Sequence, residues 1–206
     1  MIEKLLMVGA DIEIIELIEN NEKYELVGIV DSRLKNTYFG YEIFGDDDYI
    51  IKKKEVYNQY KIIITIDDVD IKKELYNWYI DSGFTFANII SNKAIISQRC
   101  AISKGVLIQS GVNIGPNTKI GKCSKINTYS NIMHDVQIGS FSTIAPGTTV
   151  LGFCKIGNEV FIGGNATILP NVSISDSCIV GAGAVVTKDL STGKTYVGNP
   201  AKKIKE

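Results

Sequence analysis

The sequence predicts a two-part chain. A small α/β domain with a Rossmann-like parallel sheet spans residues 1–86, and a parallel β-helix built from hexapeptides spans residues 87–206. Three observations predict this. Every sixth residue from Ile90 to Val186 is Ile or Val, with no break in register. The residue four places after each is small or β-branched, as in Ala94, Cys100, Thr118, Ser124, Ser142, Thr148 and Ala184. Before residue 86 the texture changes to short apolar runs that alternate with helix-patterned stretches, the signature of βαβ units. A helix would space apolar groups by three and four, and a flat strand by two. A period of six, inward at i and i+4, fits a coil of short strands joined by tight turns.

In chain order, Lys4–Val8 reads as a first strand ending at Gly9, and Ile12–Ile18 as a buried helix. Glu25–Val30 is a second strand ending at Asp31, Lys61–Ile66 a further strand, and Ile71–Ile80 a helix. The Lys52–Lys54 run is a solvated face. In the hexapeptide region three repeats make one coil, so residues 18 apart share a column. Stacked strands about 4.8 Å apart give a prism of roughly 25 Å. Glycines directly after the large aliphatic, such as Gly115, Gly121, Gly139 and Gly163, are expected to supply turn freedom. No insertion interrupts the register, so function must come from surface columns or from whatever abuts the prism.

Composition bounds the function. A formal net charge of −1 argues against a nucleic-acid surface, and no run of about 18 apolar residues suggests a membrane span. The first residues lack the layout of a signal peptide, so the expectation is a cytoplasmic protein. Cys100 and Cys154 share a column but lie three coils apart, roughly 14 Å and beyond disulfide reach. With Cys178 they read as small buried packing residues.

The chain has one histidine, His134, two places after Ile132 at an outward corner position and followed by Asp135. One coil before it stands Pro116, and one coil after it Gly152. A glycine beside a general base leaves room for a ligand to approach the backbone, with an N–H free to meet it. An adjacent acid holds an imidazole's tautomer and supports the imidazolium.

The unbroken hexapeptide run, the N-terminal βαβ domain, the Met133-His134-Asp135 triplet and the closing YVGNPAK together resemble the PglD/NeuD-type sugar acyltransferases. The resemblance implies a left-handed β-helix, a homotrimer with active sites between neighbouring prisms, and acetyl-CoA as co-substrate with no metal. It also implies direct attack of a sugar amine or hydroxyl on the thioester. His134 is then the general base, Asp135 (a family position usually Glu) its orienting acid, and the Gly152 N–H an oxyanion donor. Gly164 and Ala182 match backbone contacts to pantetheine, and Thr143 matches a CoA-contacting position that is often His. Lys202, with Lys203, is a partner for CoA phosphates.

The N-terminal domain departs from that pattern. The family's glycine-rich loop for a nucleotide sugar is cut here to Gly9-Ala10-Asp11, and Asp31-Ser32 stands where Asp-Asp is frequent. Asp67 occupies a position that is usually glycine, where a carboxylate would repel a diphosphate. These departures undermine the expectation of a UDP-sugar acceptor, and leave another nucleotide sugar, a free sugar acid or a molecule held mainly by the prism. The expected activity is acetyl transfer to a nucleotide-linked amino sugar in bacterial surface-glycan biosynthesis, with O-acetylation of a sialic-acid-like sugar as the alternative. A non-catalytic β-helix scaffold is the reading from another class. A zinc enzyme on the same prism needs three histidines per site, two from one chain and one from a neighbour, which one histidine per chain does not supply.

Overall fold

The computed structural model describes residues 2–204 and divides the chain into two compact units, one up to Ile89 and one from Ile90 onward. The first is a four-stranded parallel sheet. Its strands are β1 (Glu3–Val8), β2 (Tyr24–Val30), β5 (Lys61–Ile64) and β6 (Thr85–Phe86), in the order β2-β1-β5-β6. Leu5, Leu6, Met7 and Val8 of the inner strand β1 are all buried, as a parallel strand covered on both faces requires. Helix α1 (Ile12–Glu19) starts where the Asp11 carboxylate accepts the Glu13 and Ile14 N–H groups, and buries Ile14, Ile15 and Ile18. Helix α4 (Val69–Asp81) is capped the same way by Asp68.

The predicted strands and helices of this unit are present, with the third strand ending at Ile64 rather than Ile66. The stretch between Asp31 and Lys61 carries elements the sequence pattern did not announce. These are a hairpin of β3 (Thr37–Tyr38) and β4 (Tyr41–Glu42), then α2 (Asp47–Lys52) and α3 (Lys54–Tyr57). They are too short for a period to register.

The second unit is the prism, a left-handed parallel β-helix of two-residue strands. Pairing runs between residues 18 apart, as in Asn113↔Asn131↔Thr149↔Thr167↔Val185. It forms three sheets. The first face runs from Ile89–Ile90 through Thr143–Ile144 to Ile179–Val180, the second from Ile95–Ile96 through Asn131–Ile132 to Val185–Val186, and the third from Ala101–Ile102 to Ser173–Ile174. The aliphatic of each strand points to the axis, and from Ile108 to Val186 each is buried. Ile90, Ile96 and Ile102 are only partly buried, because the end coil has a coil on one side alone. Thr195–Val197 extends the first face in parallel, and Lys202–Lys203 turns back antiparallel to it, after the prism's last full coil.

Two details of the repeat differ from expectation or add to it. The glycines after the aliphatic do not sit at positive φ; they permit close approach. A Cβ on Gly115 would lie 2.7 Å from the His134 backbone nitrogen, and one on Gly163 2.5 Å from that of Ala182. The left-handed turn falls two residues later, at the third position after the aliphatic. From Gly105 to Gly183 every hexapeptide has that residue at positive φ, including Asn117, Asp135, Phe153 and Asn171. The small inward residues also do more than fill space. Thr118, Ser124, Ser130, Ser142 and Thr148 each donate a hydroxyl hydrogen bond to a carbonyl fifteen residues on, at the corner of the next coil. Cys100 and Cys154 donate their thiols in the same way, at 3.1 and 3.0 Å, which gives these free cysteines a role beyond packing.

Candidate active site at one corner of the prism

His134 lies at the corner where the chain passes from the second face to the third. Its carbonyl accepts the Phe153 N–H at 3.2 Å, and the Gly152 carbonyl accepts the Asn171 N–H at 3.0 Å, so this corner is stacked coil on coil. The imidazole is half exposed. Its Nδ1 stands 3.0 Å from Asp135 Oδ2, and its ring meets Phe153 edge-on at 5.1 Å between centroids.

The His134 ring also occupies the space above Gly152. A Cβ placed on Gly152 would lie 2.8 Å from Cε1, 3.0 Å from Nε2 and 3.3 Å from Nδ1. The room expected there for a ligand is thus taken by the base itself, and the glycine is what lets the imidazole lie flush against the backbone. The Gly152 N–H has no hydrogen-bond partner among the described residues. A backbone donor without a partner, beside an imidazole nitrogen, has the composition of an oxyanion site next to a general base.

Asp135 is shorter than the Glu usual at its position, yet it reaches. It sits at φ 59°, with its N–H donated to the Pro116 carbonyl at 2.9 Å, and this left-handed turn brings the carboxylate back to Nδ1. Its second oxygen, Oδ1, accepts from Asn117 Nδ2 at 3.2 Å. The hydrogen bond to His134, and after it the one from Asn117, holds the Asp135 carboxyl below the usual carboxylate range. Beside the pair, on the third face, a depression of about 550 Å³ opens between Asp135, Phe153, Lys119 and Lys155. Asn117 and Phe153 were absent from the sequence-level site. Both share Asp135's column, 18 residues before and after it, so the repeat spacing was a signal available for finding them.

The remaining predicted prism residues lie elsewhere. Thr143 is on the first face, and Gly164 and Ala182 are at the corner between the first and second faces. Among the described residues neither Gly164 nor Ala182 has a hydrogen-bond partner for its N–H, while the Gly164 carbonyl takes the Gly183 N–H at 2.8 Å. One chain does not bring this corner together with His134. Lys202 and Lys203 are exposed on the antiparallel tail strand.

In the N-terminal unit, Gly9 has φ 86°, and a Cβ there would meet Ile66 Cγ1 at 2.7 Å. Asp11 is committed to capping α1. The buried Asp31 carboxylate accepts from the Ala10 N–H at 3.3 Å, the Arg33 N–H at 2.9 Å and the Arg33 guanidinium at 2.9 and 3.1 Å. The guanidinium and these backbone donors keep its carboxyl below the usual range. Ser32 and Asp67 are exposed. The structure therefore groups Gly9, Ala10, Asp11 and Asp31 at the ends of β1 and β2, with both carboxylates already engaged. No group of His, Cys, Asp and Glu suited to hold a metal occurs among the described residues, and no helix there is long and apolar enough to cross a membrane.

The fold is the one shared by hexapeptide-repeat transferases. The family of bacterial transferase hexapeptide (six repeats) matches residues 117–152 and 153–188. The PglD N-terminal domain matches residues 11–79. In both parts the chain is similar to the PglD/NeuD-type sugar acyltransferases. No curated protein matches it by sequence. Among solved structures it is similar to the acetyltransferase domain of PglB from Neisseria gonorrhoeae FA1090 in complex with acetyl coenzyme A. Identity there is 24% and the TM-score 0.92, with 99% of this chain and 100% of that one covered, a likeness of fold. A histidine-to-alanine mutant of GDP-perosamine N-acetyltransferase from Caulobacter crescentus, in complex with CoA and GDP-perosamine, is 27% identical. Its TM-score is 0.91, over 100% of this chain and 99% of that one. WeeI from Acinetobacter baumannii AYE is 27% identical, with a TM-score of 0.87 over 98% and 100% of the two chains.

Proposed function

We propose that this protein is an acetyl-CoA-dependent acetyltransferase acting on an amino sugar carried by a nucleotide, in bacterial surface-glycan biosynthesis. The observation that carries the proposal is the imidazole of His134 lying over Gly152, with Nδ1 on the Asp135 carboxylate. Asp135 fixes the tautomer with the proton on Nδ1, which leaves Nε2 as the base. His134 Nε2 takes a proton from the acceptor amine as the nitrogen attacks the thioester carbonyl. The Gly152 N–H donates to the oxyanion, and collapse of the tetrahedral intermediate expels the CoA thiolate, which regains a proton. The acetyl-CoA and GDP-sugar complexes of the similar structures support this choice of donor and acceptor class.

Thr143, Gly164, Ala182 and Lys202 are assigned to the CoA arm, the first three along the first face and its corner. That corner and the His134 corner belong to different edges of one prism. A site containing both needs a second chain, which supports a homotrimer with active sites between protomers. Gly9, Ala10, Asp11, Asp31, Ser32 and Asp67 are assigned to the nucleotide end of the acceptor. The test is release of free thiol from acetyl-CoA against UDP-, dTDP- and GDP-linked amino sugars and free sialic acid. Acceptor-dependent release with an amino sugar supports N-acetylation, release with sialic acid alone replaces it by O-acetylation, and no release with any acceptor refutes the assignment.

A further inference from the structure

We propose that Asn117 is a positioning residue of the transfer site, acting through Asp135 to fix the tautomer and orientation of His134. The proposal rests on the reading of His134 as the base. A carboxylate on a short side chain has a broad terminal torsion, and an ion pair at a half-exposed site is weak and easily exchanged for water. Asp135 and His134 meet under those conditions, with side chains 34% and 46% exposed. One contact leaves the carboxylate free to turn about its Cβ–Cγ bond. The second contact removes that freedom, because Oδ1 is held by Asn117 Nδ2 at 3.2 Å while Oδ2 faces His134 Nδ1 at 3.0 Å. Both oxygens are then fixed from opposite sides, one by a donor on the preceding coil and one by the imidazole.

The backbone does not require an asparagine at residue 117. The whole column has positive φ, with values of 61° at Asn117, 59° at Asp135, 63° at Phe153 and 66° at Asn171. Phe153 holds that conformation without an amide. Asn is at home in this turn, as Asn165 and Asn171 are, and at residue 117 its carboxamide also holds Asp135. Asn117 touches no reacting atom. Its part is to keep Asp135 accepting from Nδ1–H, so that the Nε2 lone pair stays on the side of Gly152.

Because the chain has a single histidine, its tautomer can be read directly from the imidazole ¹⁵N resonances, with no acceptor present. We expect wild-type His134 to be almost wholly the Nδ1–H form at pH 8. Asn117→Gly keeps the positive φ comfortable and should shift the tautomer ratio toward Nε2–H by about 3-fold or more. In activity, the same substitution should lower kcat by about 5–20-fold with KM for acetyl-CoA unchanged, the range of one coupled contact. It should add nothing in an Asp135→Ala background.

Asn117→Asp keeps size and turn preference while replacing the donor with a carboxylate. The titratable groups near it are His134, Asp135, Lys119 and Lys155. A carboxylate cannot donate and repels Asp135, so the loss of activity should equal or exceed that of Asn117→Gly. An unchanged tautomer ratio in Asn117→Gly, or an undiminished loss in the Asp135→Ala background, overturns the proposal. His134→Ala, assayed alongside, separates this from the underlying reading. If that variant keeps full activity, the base assignment has failed rather than Asn117's role alone.

Discussion

Gly152→Ala tests the packing of the site without deleting any functional group. The added methyl would lie 2.8 Å from His134 Cε1 and 3.0 Å from Nε2. An ordinary contact needs about 3.5 Å, so the ring must yield by about 0.5–0.7 Å. It has open solvent to yield into, being half exposed, so the fold should not suffer. Gly152 is not at positive φ, and an added Cβ restricts the unfolded chain, worth about 0.4–1 kcal/mol in favour of the folded state. The melting temperature should thus hold within a few degrees. The displaced ring no longer presents Nε2 beside the Gly152 N–H, and since 1 Å at reacting atoms can cost about 100-fold, this shift should cost about 10-fold or more in rate. The assay is steady-state thiol release with the responding acceptor, beside a thermal melt. Activity within about 3-fold of wild type, with the fold intact, would refute the claim that the imidazole works from its place above this glycine.

Three further outcomes are expected. Ser142→Ala strips the hydroxyl that donates to the Gly157 carbonyl at 2.8 Å and accepts the Val160 N–H at 3.1 Å, so it should cost about 1–3 kcal/mol in denaturant melts. Ser142→Cys should cost less, since Cys154 makes the equivalent bond in its own coil. Asp31 has a lowered pKa, so its stabilising contacts are fully present above the ordinary value of about 4 and are lost as pH falls through the lowered one. Asp31→Asn should therefore be less stable than wild type at pH 7, and the difference should shrink in melts below about pH 4. Mixing His134→Ala chains with Gly164→Trp chains, unfolded and reassembled together, should restore about a quarter of wild-type activity if each site draws on two protomers of a ring. No recovery would refute a site shared between protomers.

Most of the prism was legible because the six-residue period is redundant. Each aliphatic from Ile108 to Val186 repeats the same information, and pairing 18 residues apart follows from three strands per coil. The His134–Asp135–Gly152 cluster was legible for the same reason, as column arithmetic places residues 134 and 152 on adjacent rungs. The role of the glycines was misread. Sequence pattern marks a glycine but not whether it serves a turn or a close approach, and here Gly115 and Gly163 serve approach while Asn117, Asp135 and Phe153 make the turns. The donor–carbonyl bonds of Ser124, Ser142 and Thr148 were also hidden, since a short hydroxyl side chain fits an inward position whether or not a carbonyl awaits it. In the N-terminal unit, β3, β4, α2 and α3 carry too few residues for periodicity, and the engagement of Asp31 by Arg33 depends on a turn that spacing does not reveal.

The mechanism stands on His134 being the base of an acetyl transfer. The most direct measurement is kcat/KM for acceptor-dependent thiol release by wild type and His134→Ala, with acetyl-CoA affinity measured separately. A fall of about 10²–10⁴-fold is expected in the variant, the range of general-base catalysis, with acetyl-CoA affinity unchanged. A variant that transfers acetyl groups as fast as wild type would contradict it.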